Sequence, residues 1–600
     1  LSPLRREAAL TQTIQKILVA NRGEIARRIM RTCRKMGIAT VAVYSEADAE
    51  MPFVDEADEA IRLGPAPSSE SDLRIARIRE PAAMPQTDAI HPGYGFLSEN
   101  AGLAQACAEA GVIFIGPTPD AIRAMGSKRE AKTLVEKAGV PVIPGYDGSN
   151  QDPKVLAEEA IKIGFPVLLK ASAGGGGKGM KRVVEASELP DAIASAAREG
   201  KSSFGDGTLL VEKYIEDPRH VEIQILGDQH GNLIHLNERE CSIQRRHQKI
   251  VEETPSTALD PALRNQMGEA AVRCGNAIGY TNAGTVEFIL APDHSFYFLE
   301  VNTRLQVEHP ITECVTGLDL VEEQILVAQG EALRTTQEAV RFEGAAIEVR
   351  LYAEDPAAGF LPQSGRVVDW NLPPAEGLRV DSGVESGSEV GIHYDPMLAK
   401  IITSAESRPL ALQRMRRALR SLSVQGVTTN RDFLLRVLDH PAFIAGDIDT
   451  HFIDRHLQDE LGDAVSESGK HRAAMAAALA EQQMRDGRRV LLPNIPSGWR
   501  NNFHSPQWVE YLVGDRDLRL TYRHLGDHWF DVGIGEETHR VRVVSWEAPE
   551  LVVEEGPHRW RARVSVDADR TYVHSSPLSL ALQRKPRFRD RSTESPAGGC

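Results

Sequence analysis

Hydrophobic and polar positions repeat with different periods along this chain, and each period predicts an element. Lys16-Ile-Leu-Val-Ala20 is a short apolar run, the pattern of a buried strand. From Ile25 to Met36 apolar residues recur at helical spacing as far as Gly37, and Ala39-Thr-Val-Ala-Val43 is strand-like again. Strand, helix, strand in that order predicts a parallel sheet. The alternation continues through a glycine-aromatic loop at Ala89–Ser98, a helix at 101–111 and a strand at Val112–Ile115. Across Glu70–Asp88, Pro81 and Pro85 are expected to interrupt any helix. A helix is expected over 127–144, stopping at Gly139, and strands at Phe165–Lys170, Thr208–Ile215 and His220–Ile225.

The strongest period-two stretch is Glu300–His309. It predicts a half-buried strand with Glu300, Asn302, Arg304, Gln306 and Glu308 on one face and Val301, Thr303, Leu305 and Val307 on the other. Upstream, Thr285–Leu290 and Phe296–Leu299 flank turn residues at 291–295. A hairpin symmetric about Asp293 and His294 sets Glu287 opposite Glu300. Like charges so placed destabilise a sheet unless a cation lies between them. Two carboxylates and an Asn carbonyl are hard oxygen ligands of the kind Mg2+ accepts. The alternative is an ordinary polar face of an antiparallel sheet.

A second cluster of chemistry lies at Phe165–Met180, where a strand ending in Lys170 runs into Gly174-Gly-Gly-Gly-Lys178-Gly. Glycines let backbone amides approach phosphate oxygens and let a loop close as a lid. The spacing is not G-x-x-x-x-G-K-[ST], because Gly179 stands where a hydroxyl would hold magnesium. A flexible linker is the competing reading, disfavoured by the buried strand and the two lysines. Asn237–Lys249 is dense in polar and basic residues: either a solvated face, or a source of anion ligands in Arg245, Arg246 and Lys249. Lys128, near the start of its helix, says little alone.

Composition narrows the classes. Six hundred residues suggest about four domains. Hydrophobic content is 42% and mean hydropathy −0.29, and no apolar run approaches a membrane span. Net charge of −16 argues against a nucleic-acid surface, so any phosphate site must be a local basic pocket. The six cysteines show neither C-x-x-C nor zinc spacing, which fits unpaired thiols in a reducing compartment. No secretory signal is read at Leu1-Ser-Pro-Leu, and the absence of methionine there leaves the natural start open.

Taken together, the motifs resemble the ATP-grasp enzymes, and specifically the biotin carboxylases. The matching stretches are NRGEIA within Lys16–Ala26, HPGYGFLSEN at His91–Asn100, and Lys170–Met180. Val211–Tyr214, RRHQKIVEE at Arg245–Glu253, EVNTRLQVEHP at Glu300–Pro310 and IEVRLYAED at Ile347–Asp355 continue the series. The resemblance runs from about residue 14 to about 455. It implies an α/β multidomain fold: a Rossmann-like domain at 14–125, an ATP-grasp domain at 126–335 with a mobile lid at about 143–215, and a C-terminal domain at 345–455. It also implies that Lys128 and Lys170 hold ATP phosphates, with Gly175, Gly176 and Gly177 as the lid. Glu212, Lys213, Tyr214 and Ile215 then hold adenine, with His220, Gln244 and His247 near the nucleotide. Glu287, Glu300 and Asn302 match metal ligands for Mg2+ or Mn2+, the two glutamates also through the nucleotide. Lys249, Arg304, Gln306 and Val307 match the bicarbonate pocket, Glu308 the general base, and Arg350 the group facing biotin, which rides on a carrier domain. Lys249, Arg304, Glu308 and Arg350 form the implied catalytic set. Tuning of Glu308 by burial and by Arg304 is expected in opposite senses.

Past 455 the pattern changes. His471–Met484 predicts an Ala-rich helix, a solvated linker (465–490) or a docking element. Short alternating runs at 518–522, 529–532, 539–544, 560–565 and 571–574 predict a small antiparallel barrel within 491–585. Pro496–Asn501 resembles the subunit-interaction domain of acyl-CoA carboxylase α subunits. That implies a carboxyltransferase β subunit, a biotin carrier domain and a hetero-oligomer as partners, with no nucleic acid and no membrane. No Met-Lys-Met acceptor occurs before Cys600, and 586–600 resembles the linker that precedes a carrier, so either the carrier is a separate protein or the sequence is cut short, truncation being the favoured reading. The implied location is the cytoplasm of a bacterium or the mitochondrial matrix of a eukaryote. Two other readings stand beside this one: the carboxylase part of a pyruvate or urea carboxylase, and a non-catalytic nucleotide-binding assembly subunit.

Overall fold

A computed structural model describes residues 13–83, 87–171, 180–457, 465–491 and 505–587, together with positions 495, 499 and 501. The first apolar run becomes the strand Lys16–Val19, at the centre of a five-stranded parallel sheet. The helix Gly23–Met36 leaves it and ends where Gly37 takes φ 73°, a conformation open to a residue without Cβ. The expected interruption at Glu70–Asp88 gives way to a helix, Ile75–Ala83, that takes in Pro81. Pro81 lies in its last turn and costs the bond its N–H would have given to the Arg77 carbonyl, and the helix ends two residues on, while Ile78 shares a core with Leu97, Leu103 and Cys107. Pro85 lies outside the described residues.

An eight-stranded antiparallel sheet carries the middle of the chain. Its order is Phe296–Asn302, Asn282–Leu290, Arg219–Gly227, Leu233–Arg245, Gln248–Thr254, Ala345–Tyr352, Met397–Ala405 and Leu378–Ser382. The basic run Asn237–Lys249 is therefore no solvated face. It forms a hairpin buried from Asn237 to Ile243, with only Arg246 and His247 exposed at a turn where both have positive φ.

The acidic hairpin pairs Glu287 with Glu300, as its symmetry predicts, and needs a bulge to do so. Phe288 pairs with Phe298, so the register slips by one residue at Leu299 before Glu287 meets Glu300. Without that slip Glu287 would face Leu299, and the acidic residues would fall on opposite faces. The strand itself stops at Asn302, short of the length read from alternation. It is the sheet edge, so no further strand holds residues 303–308; Thr303 donates its backbone amide to Glu99 instead. The chain then turns into the helix His309–Thr316, with Pro310 in its first turn and Glu308 at its N-cap.

Above this sheet sits a small four-stranded antiparallel sheet of Gly145–Tyr146, Leu209–Lys213, Val167–Ala171 and Met180–Val183. The helices Pro153–Ile163 and Leu189–Phe204 share its core. Gly175, Gly176, Gly177 and Lys178 lie outside the described residues.

The tail is a closed barrel of eight antiparallel strands between Gln507 and Arg584, each joined to the next by two residues. The helix Glu467–Gly487 is neither a solvated linker nor an external docking element. It passes through the barrel interior, where every residue from Ala473 to Ala480 is buried in one core with the strands. A helix apolar on all faces must be buried all round, and alanines keep it thin enough to fit inside eight strands. Pro496–Asn501 is largely outside the described residues, as are 588–600.

Candidate active site

Register places charged side chains in rows across the large sheet. Glu300, Glu287, Glu222 and Arg239 are successive cross-strand partners, and Arg350, Lys400 and Asp381 form a second series. Glu308, carried on the loop beside the sheet, joins the two. It is fully buried; its Oε1 accepts from Lys249 Nζ at 2.8 Å and its Oε2 from Arg350 Nη2 at 2.9 Å. Burial pushes its carboxyl up, but Lys249, Arg350 and Arg239 outweigh that and hold it well below the usual range. Arg304, expected to be the tuning cation, is not among these leading influences. Its guanidinium donates to Glu99, Gln306 and Asn302, out on the polar edge.

Lys249 is the hub. Its ammonium donates to Glu222 at 2.5 Å and to Glu287 and Glu308 at 2.8 Å. Burial alone would lower it; these carboxylates raise it well above a normal lysine. Glu287 also faces His220 Nε2 at 2.9 Å and accepts amide protons from Asn302 and Gln306. Against burial, Lys249 and His220 keep it ionised. Gln244 bridges His220 Nδ1 and the Cys241 carbonyl.

Two groups of metal-type donors lie within 4.8 Å among the described residues: His220, Glu222, Glu287 and Glu222, Cys241, Glu308. Both converge on the Lys249 ammonium, which already balances them. The expected ligands Glu287, Glu300 and Asn302 form a different set. Glu287 and Glu300 are paired across the hairpin and Glu300 is half-buried, while the Asn302 side-chain oxygen accepts from Arg304 and its amide donates to Glu287, so Asn302 must turn from Arg304 to offer that oxygen to a cation. All-oxygen donors with two carboxylates suit a hard divalent cation that keeps its remaining sites for water and phosphate.

On the small four-stranded sheet Lys170 Nζ meets Glu212 at 2.5 Å, with Lys132 on the other carboxylate oxygen at 3.3 Å. Glu212 is drawn below its usual range by these lysines despite burial. Lys213 spends its ammonium on the Gly164 and Phe165 carbonyls, and Tyr214 bonds His451 across to the next domain. Ile215 is half-buried, and His247 is exposed at its hairpin tip. The Val307 carbonyl accepts from buried Lys400. The Lys128 side chain is outside the described residues.

Sequence reasoning missed four charged residues of this site: Glu222, Arg239, Glu252 and Lys400. Arg239 is fully buried and donates to Glu222, Gln224, Thr285 and Thr312. Glu252 accepts from Arg350 Nε at 2.6 Å. For Lys400 the available signal was a charged residue in an otherwise apolar strand, Met397–Ala405; Glu222, Arg239 and Glu252 lie among other polar residues and carry no such signal.

Family models match nearly the whole chain. They are described as biotin carboxylase, N-terminal domain (13–122), carbamoyl-phosphate synthase L chain, ATP binding domain (127–336), and biotin carboxylase C-terminal domain (348–455). The fourth is the methylcrotonyl-CoA carboxylase alpha-subunit BT domain, at 470–587. The mitochondrial methylcrotonoyl-CoA carboxylase subunit alpha of Rattus norvegicus is 46% identical over 538 residues, covering 88% of this chain and 75% of that one. The biotin carboxylase of Halalkalibacterium halodurans is 51% identical over 448 residues, 75% of this chain and 99% of that one. Among solved structures, the biotin carboxylase domain dimer of Hydrogenobacter thermophilus 2-oxoglutarate carboxylase, with MgADP, ADP and bicarbonate, superposes with a TM-score of 0.71. It shares 44% identity over 76% of this chain and 100% of that one.

Proposed function

Because the chain belongs to the biotin carboxylase family, we propose that it carboxylates carrier-bound biotin with ATP and bicarbonate, as the α subunit of an acyl-CoA carboxylase. The observation that carries this reading is the burial of Glu308, ionised, between Lys249 and Arg350. The carboxylate is unprotonated and so able to accept a proton, while the cations that keep it so also make it a weak base until one of them turns to substrate.

In this reading bicarbonate lies between Lys249, Arg304, Gln306 and the Val307 backbone. Glu308 takes the bicarbonate proton, and a bicarbonate oxygen attacks the γ-phosphoryl group of ATP, giving carboxyphosphate as ADP leaves. Lys170 meets the phosphates, exchanging its ion pair with Glu212 for them, while the 212–215 connection supports adenine. Glu287, Glu300 and Asn302 would hold Mg2+, which when bound neutralises phosphate charge during transfer. Carboxyphosphate then yields CO2 and phosphate; the phosphate takes the proton from biotin N1′, Arg350 faces the ureido oxygen as negative charge develops there, and N1′ bonds to the CO2 carbon to give carboxybiotin.

The barrel supports docking to a carboxyltransferase β subunit, the partner with which α subunits of acyl-CoA carboxylases work. It packs on the carboxylase through Arg563, which clamps Asp369 with two hydrogen bonds, and through buried Arg431 beside His574. The match of this tail supports methylcrotonyl-CoA as the acyl group finally carboxylated, a choice that rests on the partner. No described helix is long and apolar enough to cross a membrane, and relatives with bacterial and mitochondrial names support cytoplasm or matrix.

Bicarbonate-dependent ATP hydrolysis stimulated by free biotin tests the reading. Its absence from folded protein would favour a non-catalytic assembly subunit. Copurification with the β subunit and an acyl-CoA screen tests the rest.

A further inference from the structure

Two carboxyl groups left unused by this mechanism face each other behind Arg350. Glu252 and Glu348 are direct register partners in neighbouring antiparallel strands, and both are fully buried. Side chains so placed start about 5 Å apart at Cβ. Glu252 Oε1 accepts from Arg350 Nε, while Glu252 Oε2 and both Glu348 oxygens have no donor among the described residues. In a dry interior two adjacent carboxylates do not both ionise, so the pair retains a proton.

The surroundings say which member holds it. Arg350 touches Glu252 and favours the charge there. Burial holds Glu348 well above the usual range even with Lys400 nearby on Met397–Ala405, and the charge on Glu252 adds to the effect. Burial also pushes Glu252 up, against Arg350, to about 7. The other groups facing Glu252 are Glu308 from the loop before His309–Thr316, Lys249 on its own strand, Cys241 on Leu233–Arg245 and Tyr352 beyond Arg350.

We propose that Glu252 is a positioning residue for Arg350, with Glu348 as its permanently protonated neighbour, so that loss of one proton from Glu252 changes the clamp on Arg350 from one carboxylate to two. With Glu252 ionised, Arg350 is fixed at Nε by Glu252 and at Nη2 by Glu308, and its charge is shared between them. Glu308 is then the stronger base. With Glu252 protonated, Arg350 turns its full field on Glu308 and weakens it. Turnover therefore rises as Glu252 ionises. The inference rests on the carboxylase reading of Glu308 and Arg350.

The test is the pH profile of kcat and of KM for free biotin, in bicarbonate-dependent ATP turnover, for wild type, E252Q and E348Q. Wild type is expected to show an acid limb near 7. E252Q is expected to lose that limb and to lie about tenfold lower on the alkaline side, the scale of losing an outer-shell partner. E348Q is expected to keep the limb, because it replaces a group that is already neutral. A limb retained in E252Q, or lost in E348Q, overturns the proposal. A second measurement needs no variant: the infrared band of a buried protonated carboxyl group in wild type should titrate with a midpoint near neutrality. A band that does not change across neutrality also overturns it. If wild type shows no biotin-stimulated turnover, the carboxylase reading fails, and the infrared titration still decides the state of Glu252.

Discussion

Replacing Glu308 by Gln separates the proposed chemistry from folding and nucleotide binding. The substitution keeps one acceptor oxygen, removes the charge and turns an amide toward a cation. It discards a charge-assisted hydrogen bond, worth about 1.5–3 kcal/mol. Neither cation is stranded, however: Lys249 keeps Glu222 and Glu287, and Arg350 keeps Glu252. The stability loss should therefore stay below the ~3–5 kcal/mol of breaking an isolated buried pair. The proton-accepting role is a larger matter, on the order of a hundredfold to ten-thousandfold in turnover. The proposed ATP contacts at Lys170 and Glu212–Ile215 lie on or just past the small four-stranded sheet rather than on the loop that carries Glu308. The assay pairs bicarbonate-dependent ATP turnover with equilibrium nucleotide binding. Expected are unchanged ATP affinity, a folded protein and turnover reduced at least about a hundredfold. Turnover close to wild type refutes the role of Glu308, and so does a fall in ATP affinity that accounts for the whole loss.

Three further outcomes follow from particular residues. Glu300→Gln removes one of two paired carboxylates, so the Mg2+ needed for half-maximal activity should rise about tenfold; an unchanged Mg2+ titration counts against ligation there. Ala477→Leu overfills the barrel around a fully buried position and should destabilise the tail by about 1–3 kcal/mol, leaving turnover of free biotin unchanged; denaturation followed by tryptophan fluorescence reads it. Burial holds His91 near 3, against its ordinary 6.5, with only Gln324 supporting its charged form. The fold thus favours the neutral ring, and its contribution is present above 6.5 and lost as pH falls toward 3. His91→Gln should flatten the decline of stability over that window, and an unchanged slope would assign the decline to other groups.

Much of the site was legible because its residues share a strand or a motif. Glu287 and Glu300 could be set opposite each other by counting outward from a turn, although the bulge at Leu299 that secures the pairing leaves no trace in alternation. Alternation also overran the end of the strand: Gln306 and Glu308 stay inward with no ladder to hold them. Glu222 and Arg239 were illegible because they lie among other polar residues and only cross-strand register sets them together, while Glu252, on the strand of Lys249, and the distant Lys400 meet Arg350 through the pairing of their strands with Ala345–Tyr352. Composition misled in the tail. Alanine repeated on every face looks like a linker until eight strands close around it. At Pro81 a local rule overstated its reach: the proline removes one helix hydrogen bond, and the helix runs only to Ala83, two residues past it.

The central claim is that this site joins bicarbonate to biotin at the expense of ATP. Radiolabelled bicarbonate, incubated with the chain, ATP, Mg2+ and free biotin, should yield label on biotin N1′ in step with ADP formation and none when ATP is withheld. Release of ADP with no label in the biotin fraction would contradict it.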